Sequence, residues 1–288
     1  MADMHRDIMA KVDLYRRGRI DRRELLKSII AATGGYAAAH LFLESSGLAA
    51  TLISPQESQA VNVDAETVRF PSSNAEIMAY FVKPKGEGRH PAVIVIHENR
   101  GLNEHIRDVA RRFAAEGFVA LAPDLLSREG GTATMKTPEE ATTAIRKLSP
   151  LTSVRDLRAA FAFLEKDPNV ESDKISSVGF CWGGWRSFMM ATTIPTLHRA
   201  VVFYGSTPDD GLQNIHAAVL AHYAQQDFRI TGNAVLTEKT MRELGKKFTY
   251  YVYPGAEHAF FNDTGPRYDA EAAKLAWSRT LEFLRSAD

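Results

Sequence analysis

One cysteine stands among 288 residues, and its surroundings are those of a nucleophile: Gly179-Phe180-Cys181-Trp182-Gly183-Gly184, with an apolar run before it and a helix-like run after. A strand that turns sharply into a helix requires glycine two positions either side of the turning residue, where side chains would strike the neighbouring backbone. Such a turn lifts the Cys181 sulfur to the top of a sheet, beside the positive end of a helix that favours the thiolate. Two further residues complete a chemistry. Asp227 follows the apolar run Ala217 to Tyr223, and His258 follows Phe248 to Tyr253 within Gly255-Ala256-Glu257-His258-Ala259-Phe260. The order nucleophile, acid, histidine, each just beyond a strand, is that of acyl transfer: Asp227 orients the imidazole, and His258 takes the thiol proton and later returns one to a leaving alcohol. Negative charge on the attacked carbonyl needs backbone donors, for which the spacing offers the N–H of Trp182 and, in the loop Glu98-Asn99-Arg100-Gly101, the N–H of Asn99. Each residue alone has a plainer reading, as a buried apolar cysteine in a tight turn, a surface loop carboxylate and a helix-capping histidine.

The elements that must position these groups alternate strand and helix from Glu66 onward. Glu66 to Phe70 and Ala75 to Val82 read as an antiparallel pair around the turn-rich Pro71-Ser72-Ser73-Asn74. Pro91 to His97 is a β-branched run suited to a strand covered on both faces. Apolar residues at Ile106, Val109, Ala110, Phe113 and Ala114 form a helical stripe over His105 to Glu116, ended by Gly117. Further strands are expected at Phe118 to Ala122, Ile175 to Val178, Ala200 to Tyr204, Ala217 to Tyr223 and Phe248 to Tyr253. Helices are expected at Pro138 to Leu148, Val154 to Lys166, Trp185 to Thr192, Ala234 to Leu244 and Ala270 to Leu284. The pattern predicts an α/β fold: a mostly parallel central sheet with helices on both faces, whose functional residues gather at the carboxyl ends of the strands.

Composition narrows the partners. Basic and acidic residues balance at 35 each, so nothing recommends nucleic acid or an anionic membrane surface. A lone cysteine excludes an internal disulfide and a cysteine-rich metal cage. The nine histidines contain no H-E-x-x-H pair, His97-Glu98 and His222 being the positions to check for metal spacing. No cofactor is expected, and the expected partner is a small molecule.

The first 55 residues differ from the rest. Asp21-Arg22-Arg23-Glu24-Leu25-Leu26-Lys27, followed by the sixteen-residue apolar run Ser28 to Leu43, resembles a twin-arginine export signal. Against that reading, His40 interrupts the run and Gly47-Leu48-Ala49-Ala50 lacks an A-x-A cleavage site. The other reading is an amphipathic helical arm that packs on the domain or on a second copy in a homodimer. Export to the periplasm and retention in the cytoplasm follow from the two readings in turn. The run is too short to favour a membrane span.

Taken together, His97-Glu98-Asn99-Arg100-Gly101-Leu102, Ala122-Pro123-Asp124-Leu125, the elbow around Cys181, Gln226-Asp227 and Gly255 to Phe260 make the chain from about Asp64 to its end resemble the dienelactone hydrolase (carboxymethylenebutenolidase) family of α/β-hydrolases. The resemblance implies an α/β-hydrolase domain over 64–288, an N-terminal extension over 1–55, and hydrolysis of carboxylic esters or lactones through a thioester on Cys181. It also gives Glu98 a role, as the glutamate that contacts the resting thiol and helps generate the thiolate. One departure bears on substrate. The family grips a substrate carboxylate with arginines, one of them four residues after the histidine, and here that position is Asn262. A neutral amide cannot replace a bidentate guanidinium. Arg100 and Arg128 are candidates to compensate, and Trp182, Trp185, Tyr204, Phe260 and Phe261 are candidates for an aromatic substrate pocket, so the expected substrate is a neutral or bulkier ester or lactone. A reactive-thiol binding or redox-sensing module on the same fold is the alternative function.

Overall fold

The computed structural model describes residues 2–16, 19–20, 22–33 and 63–287. Eight strands form one sheet: β1 (Val63–Ser72), β2 (Ala75–Pro84), β3 (His90–Ile96), β4 (Val119–Pro123), β5 (Val170–Phe180), β6 (Arg199–Phe203), β7 (Ala218–Ala224) and β8 (Phe248–Tyr253). Their spatial order is β1-β2-β4-β3-β5-β6-β7-β8. β2 pairs antiparallel with both β1 and β4, and from β4 to β8 every pairing is parallel.

The centre of the sheet is dictated by its β-branched runs. Ala92, Val93, Ile94, Val95 and Ile96 are all fully buried, which a strand achieves only when helices cover both faces. Their side chains alternate between two cores. Ala92, Ile94 and Ile96 join the core under α5 (Pro150–Glu165) and α6 (Trp182–Thr193) on one face, which continues to α8 (Ala234–Glu243) over β8. Val93 and Val95 meet α3 (Glu104–Ala115) and α9 (Ala270–Arg285) on the other. α4 (Pro138–Lys147) adds a small cluster of Ala141 and Ile145 with Leu126, against which the Trp182 ring also packs. The remaining helix of the domain, α7 (Phe228–Thr231), is a single turn after β7.

Most expected elements are present with shifted ends, and the shifts have local causes. α5 begins at Pro150, ahead of its apolar stripe, because Ser149 caps it by accepting from Thr152 N–H at 3.3 Å and proline suits the first helical position. α6 begins at Trp182, immediately at the nucleophile turn. β5 starts at Val170, before the apolar run, through its pairing with His90 and an irregular register that carries Glu171 to Lys174. The one-turn α7 has no apolar periodicity to announce it.

At the amino terminus, α1 (Ala2–Arg16) and α2 (Arg22–Thr33) pack on each other through Ile8, Val12, Leu25 and Ile29. The apolar run from Ser28 is helical as far as Thr33. The rest of that run and the Gly47 to Ala50 stretch lie outside the described residues. No helix among the described residues is long and apolar enough to cross a membrane.

Candidate active site

Cys181 occupies the turn between β5 and α6 with φ 55° and ψ −116°, a conformation that costs free energy for any residue with a Cβ. The surrounding contacts hold it there. A Cβ on Gly179 would lie 1.9 Å from the Gly183 carbonyl oxygen, one on Gly183 2.4 Å from that of His97, and one on Gly184 2.6 Å from that of Phe203. Cys181 N–H donates to Phe203 O at 2.9 Å, tying the turn to the end of β6. Cys181 is half-buried.

Asp227 lies three residues beyond β7 and His258 five beyond β8, so the two loops meet at the carboxyl edge of the sheet. His258 Nδ1 donates to Asp227 Oδ2 at 2.5 Å, with side chains only 21% and 11% exposed. This fixes the ring, and Cys181 is near enough to contribute to its electrostatics. Burial opposes the charged imidazole, but the bonds to Asp227 and Cys181 outweigh it and raise the His258 pKa to about 10. The ring is therefore held as an imidazolium beside the Asp227 carboxylate.

Trp182 and Asn99 face this edge from two elements, the first turn of α6 and the loop after β3. Gly183 brings them together, since its backbone presses on the carbonyls of Ile96 and His97. Among the described residues, neither Trp182 nor Asn99 donates a backbone hydrogen bond. His97 is locked beneath them: its Nδ1 donates to Glu98 O at 2.7 Å, its Nε2 accepts from Leu125 N–H at 3.2 Å, and its ring stacks 5.7 Å from that of Trp182. Burial lowers the His97 pKa, in keeping with that neutral tautomer.

Glu98 is 5% exposed, and its contacts explain the departure at position 262. Asn262 Nδ2 donates to Glu98 Oε2 at 2.7 Å, while Asn262 Oδ1 accepts from Thr264 N–H and Oγ1 at 3.0 and 2.7 Å. The Tyr204 hydroxyl makes a long contact of 3.5 Å to Glu98 Oε1. Tyr204 is itself buried with φ 39°, and its ring stands 5.0 Å from that of His258. Burial, together with the negative charges of Glu98 and Cys181, raises its pKa well above the usual phenol range, so it remains a neutral donor. The exposed Arg267 is the cation whose field opposes that rise.

The other sequence candidates fall elsewhere. Phe260 and Phe261 are buried in an aromatic cluster with Phe203. Arg128 is committed to Asp156, Asn74 and the Ser72 carbonyl. Arg100 lies in the turn after β3, adjoining Asn99. The Trp185 ring is occupied by the Arg186 guanidinium at 4.1 Å. His222 bonds Tyr253 Oη and Thr280 Oγ1 through its two ring nitrogens, leaving no lone pair for a metal. Among the described residues, no group of three or more His, Cys, Asp or Glu side chains could hold a metal ion. Sequence reading missed Arg186 and the Tyr204 contact to Glu98. Arg186 sits one helical turn after Trp182, a spacing that could have marked it.

The sequence model of the dienelactone hydrolase family matches residues 77–287. The chain belongs to the dienelactone hydrolase family. A relative from Synechocystis sp., provisionally named a carboxymethylenebutenolidase, is 33% identical over 243 residues, 78% of this chain and 98% of its own. A similarly named relative from Saccharolobus solfataricus is 35% identical over 75% of this chain and 96% of its own. Among solved structures, a provisionally named dienelactone hydrolase from Klebsiella pneumoniae superposes with a TM-score of 0.72 at 29% identity, covering 78% of this chain and 99% of that one. A dienelactone hydrolase-like promiscuous phosphotriesterase from metagenomic libraries shares the fold at a TM-score of 0.69 and 24% identity, covering 77% and 97%. This dienelactone hydrolase family member thus has the α/β-hydrolase fold and is a hydrolase of that kind.

Proposed function

We propose that the protein hydrolyses neutral carboxylic esters or lactones through a Cys181-His258-Asp227 triad and a thioester intermediate. The observation that carries this reading is the half-buried His258, bonded to Asp227 at 2.5 Å with a pKa raised to about 10 by Asp227 and the neighbouring Cys181. The thiolate attacks the acyl carbon, and the carbonyl oxygen takes the negative charge between the N–H groups of Trp182 and Asn99. Collapse of this intermediate breaks the ester C–O bond, and the His258 imidazolium protonates the departing alkoxide. Water, deprotonated by the now neutral imidazole, then cleaves the thioester and restores the starting pair. Asp227 keeps the ring in one tautomer throughout.

Substrate charge follows from Glu98. Its carboxylate is buried beside the reacting atoms, and the amide of Asn262, in the position of the family's carboxylate-binding arginine, is spent on it. A substrate carboxylate placed there would face a like charge, whereas a neutral acyl group would not. Glu98, held by Asn262 and Tyr204, is the carboxylate that the family resemblance assigns to activation of the thiol.

The test is hydrolysis of a neutral aryl acetate, a neutral lactone, a carboxylated lactone and a neutral phosphotriester by the wild-type protein and by Cys181→Ala. The expected result is turnover of the neutral acyl substrates that Cys181→Ala loses by at least a thousandfold, with weaker turnover of the carboxylated lactone. Undiminished turnover by Cys181→Ala would remove sulfur from the mechanism. A wild-type protein that is alkylated at Cys181 but hydrolyses none of these substrates would favour the reactive-thiol module.

A further inference from the structure

Arg186 is an unusual residue to find one turn beyond a nucleophile. It is 1% exposed and lies in the helix that starts at Trp182. Its guanidinium carbon sits 4.2 Å from the Trp182 ring centroid and 4.1 Å from that of Trp185. Its Nε donates to Ser153 Oγ at 2.7 Å, and among the described residues its Nη1 has no hydrogen-bond partner. Among the described residues no carboxylate offsets its burial, which lowers its pKa to about 10. A buried cation without a counter-charge is costly, and stabilisation must come from the two indole faces.

The stack has a direction. Trp185, Arg186, Trp182 and His97 form a continuous series of planar contacts, and His97 is immobilised by hydrogen bonds at both ring nitrogens. The series therefore links α6, which carries the Trp182 N–H, to the end of β3, which carries the Asn99 N–H. Together with the Gly183 backbone contact, it connects the two donors through side chains.

We propose that Arg186 is a positioning residue that clamps the Trp182 indole and thereby holds the Trp182 and Asn99 N–H groups at the separation a carbonyl oxyanion requires. This rests on the hydrolase reading above. Arg186 touches neither substrate nor sulfur and acts through Trp182. A loosened donor pair costs stabilisation only where negative charge develops on oxygen, so the effect belongs in kcat rather than KM.

The experiment compares wild type, Arg186→Met and Arg186→Lys as full chains. It measures kcat and KM on a neutral aryl acetate, the rate of Cys181 alkylation by iodoacetamide, and thermal melting. Alkylation requires the thiolate but forms no oxyanion, so it reports the Cys181 and His258 pair alone. Arg186→Met should lose about tenfold or more in kcat, with KM and alkylation within twofold of wild type. Arg186→Lys, which retains a cation over the indoles, should recover part of that loss. Wild-type kcat in Arg186→Met, or kcat and alkylation falling together, would overturn the proposal. If Arg186→Met fails to fold, Arg186→Lys decides the matter alone, its kcat falling at unchanged alkylation or the proposal failing. Cys181→Ala in the same assay keeps the parent reading separate: its activity, if retained, would count against the thioester mechanism rather than against the stack specifically.

Discussion

Gly183→Ala is the sharpest test of how the elbow serves the reaction. A methyl group at this position would stand 2.4 Å from the His97 carbonyl oxygen and 2.5 Å from that of Ile96. Both atoms belong to the end of β3, whose residues Ala92 to Ile96 are fully buried between two cores, so the strand cannot recede. The helix must move instead, by about 0.6 Å to reach the 3.0 Å that real Cβ atoms observe and about 1.0 Å to reach an ordinary 3.4 Å. That displacement carries the Trp182 N–H away from the Asn99 N–H. A misplacement of about 1 Å in a catalytic constellation costs roughly 100-fold in rate, and overpacking costs roughly 1–3 kcal/mol in stability. The assay is kcat on a neutral aryl acetate beside thermal melting. Gly245→Ala serves as control, since at φ 67° it meets nothing within 4 Å and strains the backbone away from the site. A folded Gly183→Ala variant with kcat within twofold of wild type would refute the close-approach reasoning.

Two other outcomes are expected. Asn262→Leu removes the 2.7 Å donor to Glu98 and the acceptor for Thr264, and leaves a buried carboxylate short of a partner. It should cost about 1–3 kcal/mol in a denaturant melt and also lower kcat, and unchanged turnover would release Glu98 from the reaction. His222 is buried as a neutral ring with a pKa lowered by burial to about 3, so on acidification the unfolded chain binds its proton first. Stability should therefore fall as pH drops from about 6.5 towards about 3, by about 1.4 kcal/mol per pH unit for this group. His222→Gln should flatten that dependence in thermal melts, and a profile identical to wild type would exclude His222 as its source.

Much of this arrangement could be read from residue patterns because its causes are local. The β-branched run Ala92 to Ile96 can satisfy its side chains only in a doubly covered strand, and Gly179, Gly183 and Gly184 are demanded by close backbone approaches within and beside one turn. The order of Cys181, Asp227 and His258 after three strands likewise follows from where loops must fall in a parallel sheet. Phe260 shows where such reading fails. An aromatic residue beside a histidine looks equally suited to pocket or core, and the neighbours that make it core, Phe203 and Tyr253, come from distant strands.

The same division holds for the site as a whole. The chain order and turn chemistry by themselves determined which residues are candidates for nucleophile, acid and base, since those depend on residue type and on the strand ends that carry them. Only tertiary structure decided what surrounds them: that Asn262 serves Glu98, that Arg128 is consumed by Asp156, and that Arg186 is sandwiched by two indoles. Hydrogen bonds and stacking act over a few ångströms, and pairs such as Glu98 with Asn262, 164 residues apart, enter that range only when the sheet closes the distance between their loops.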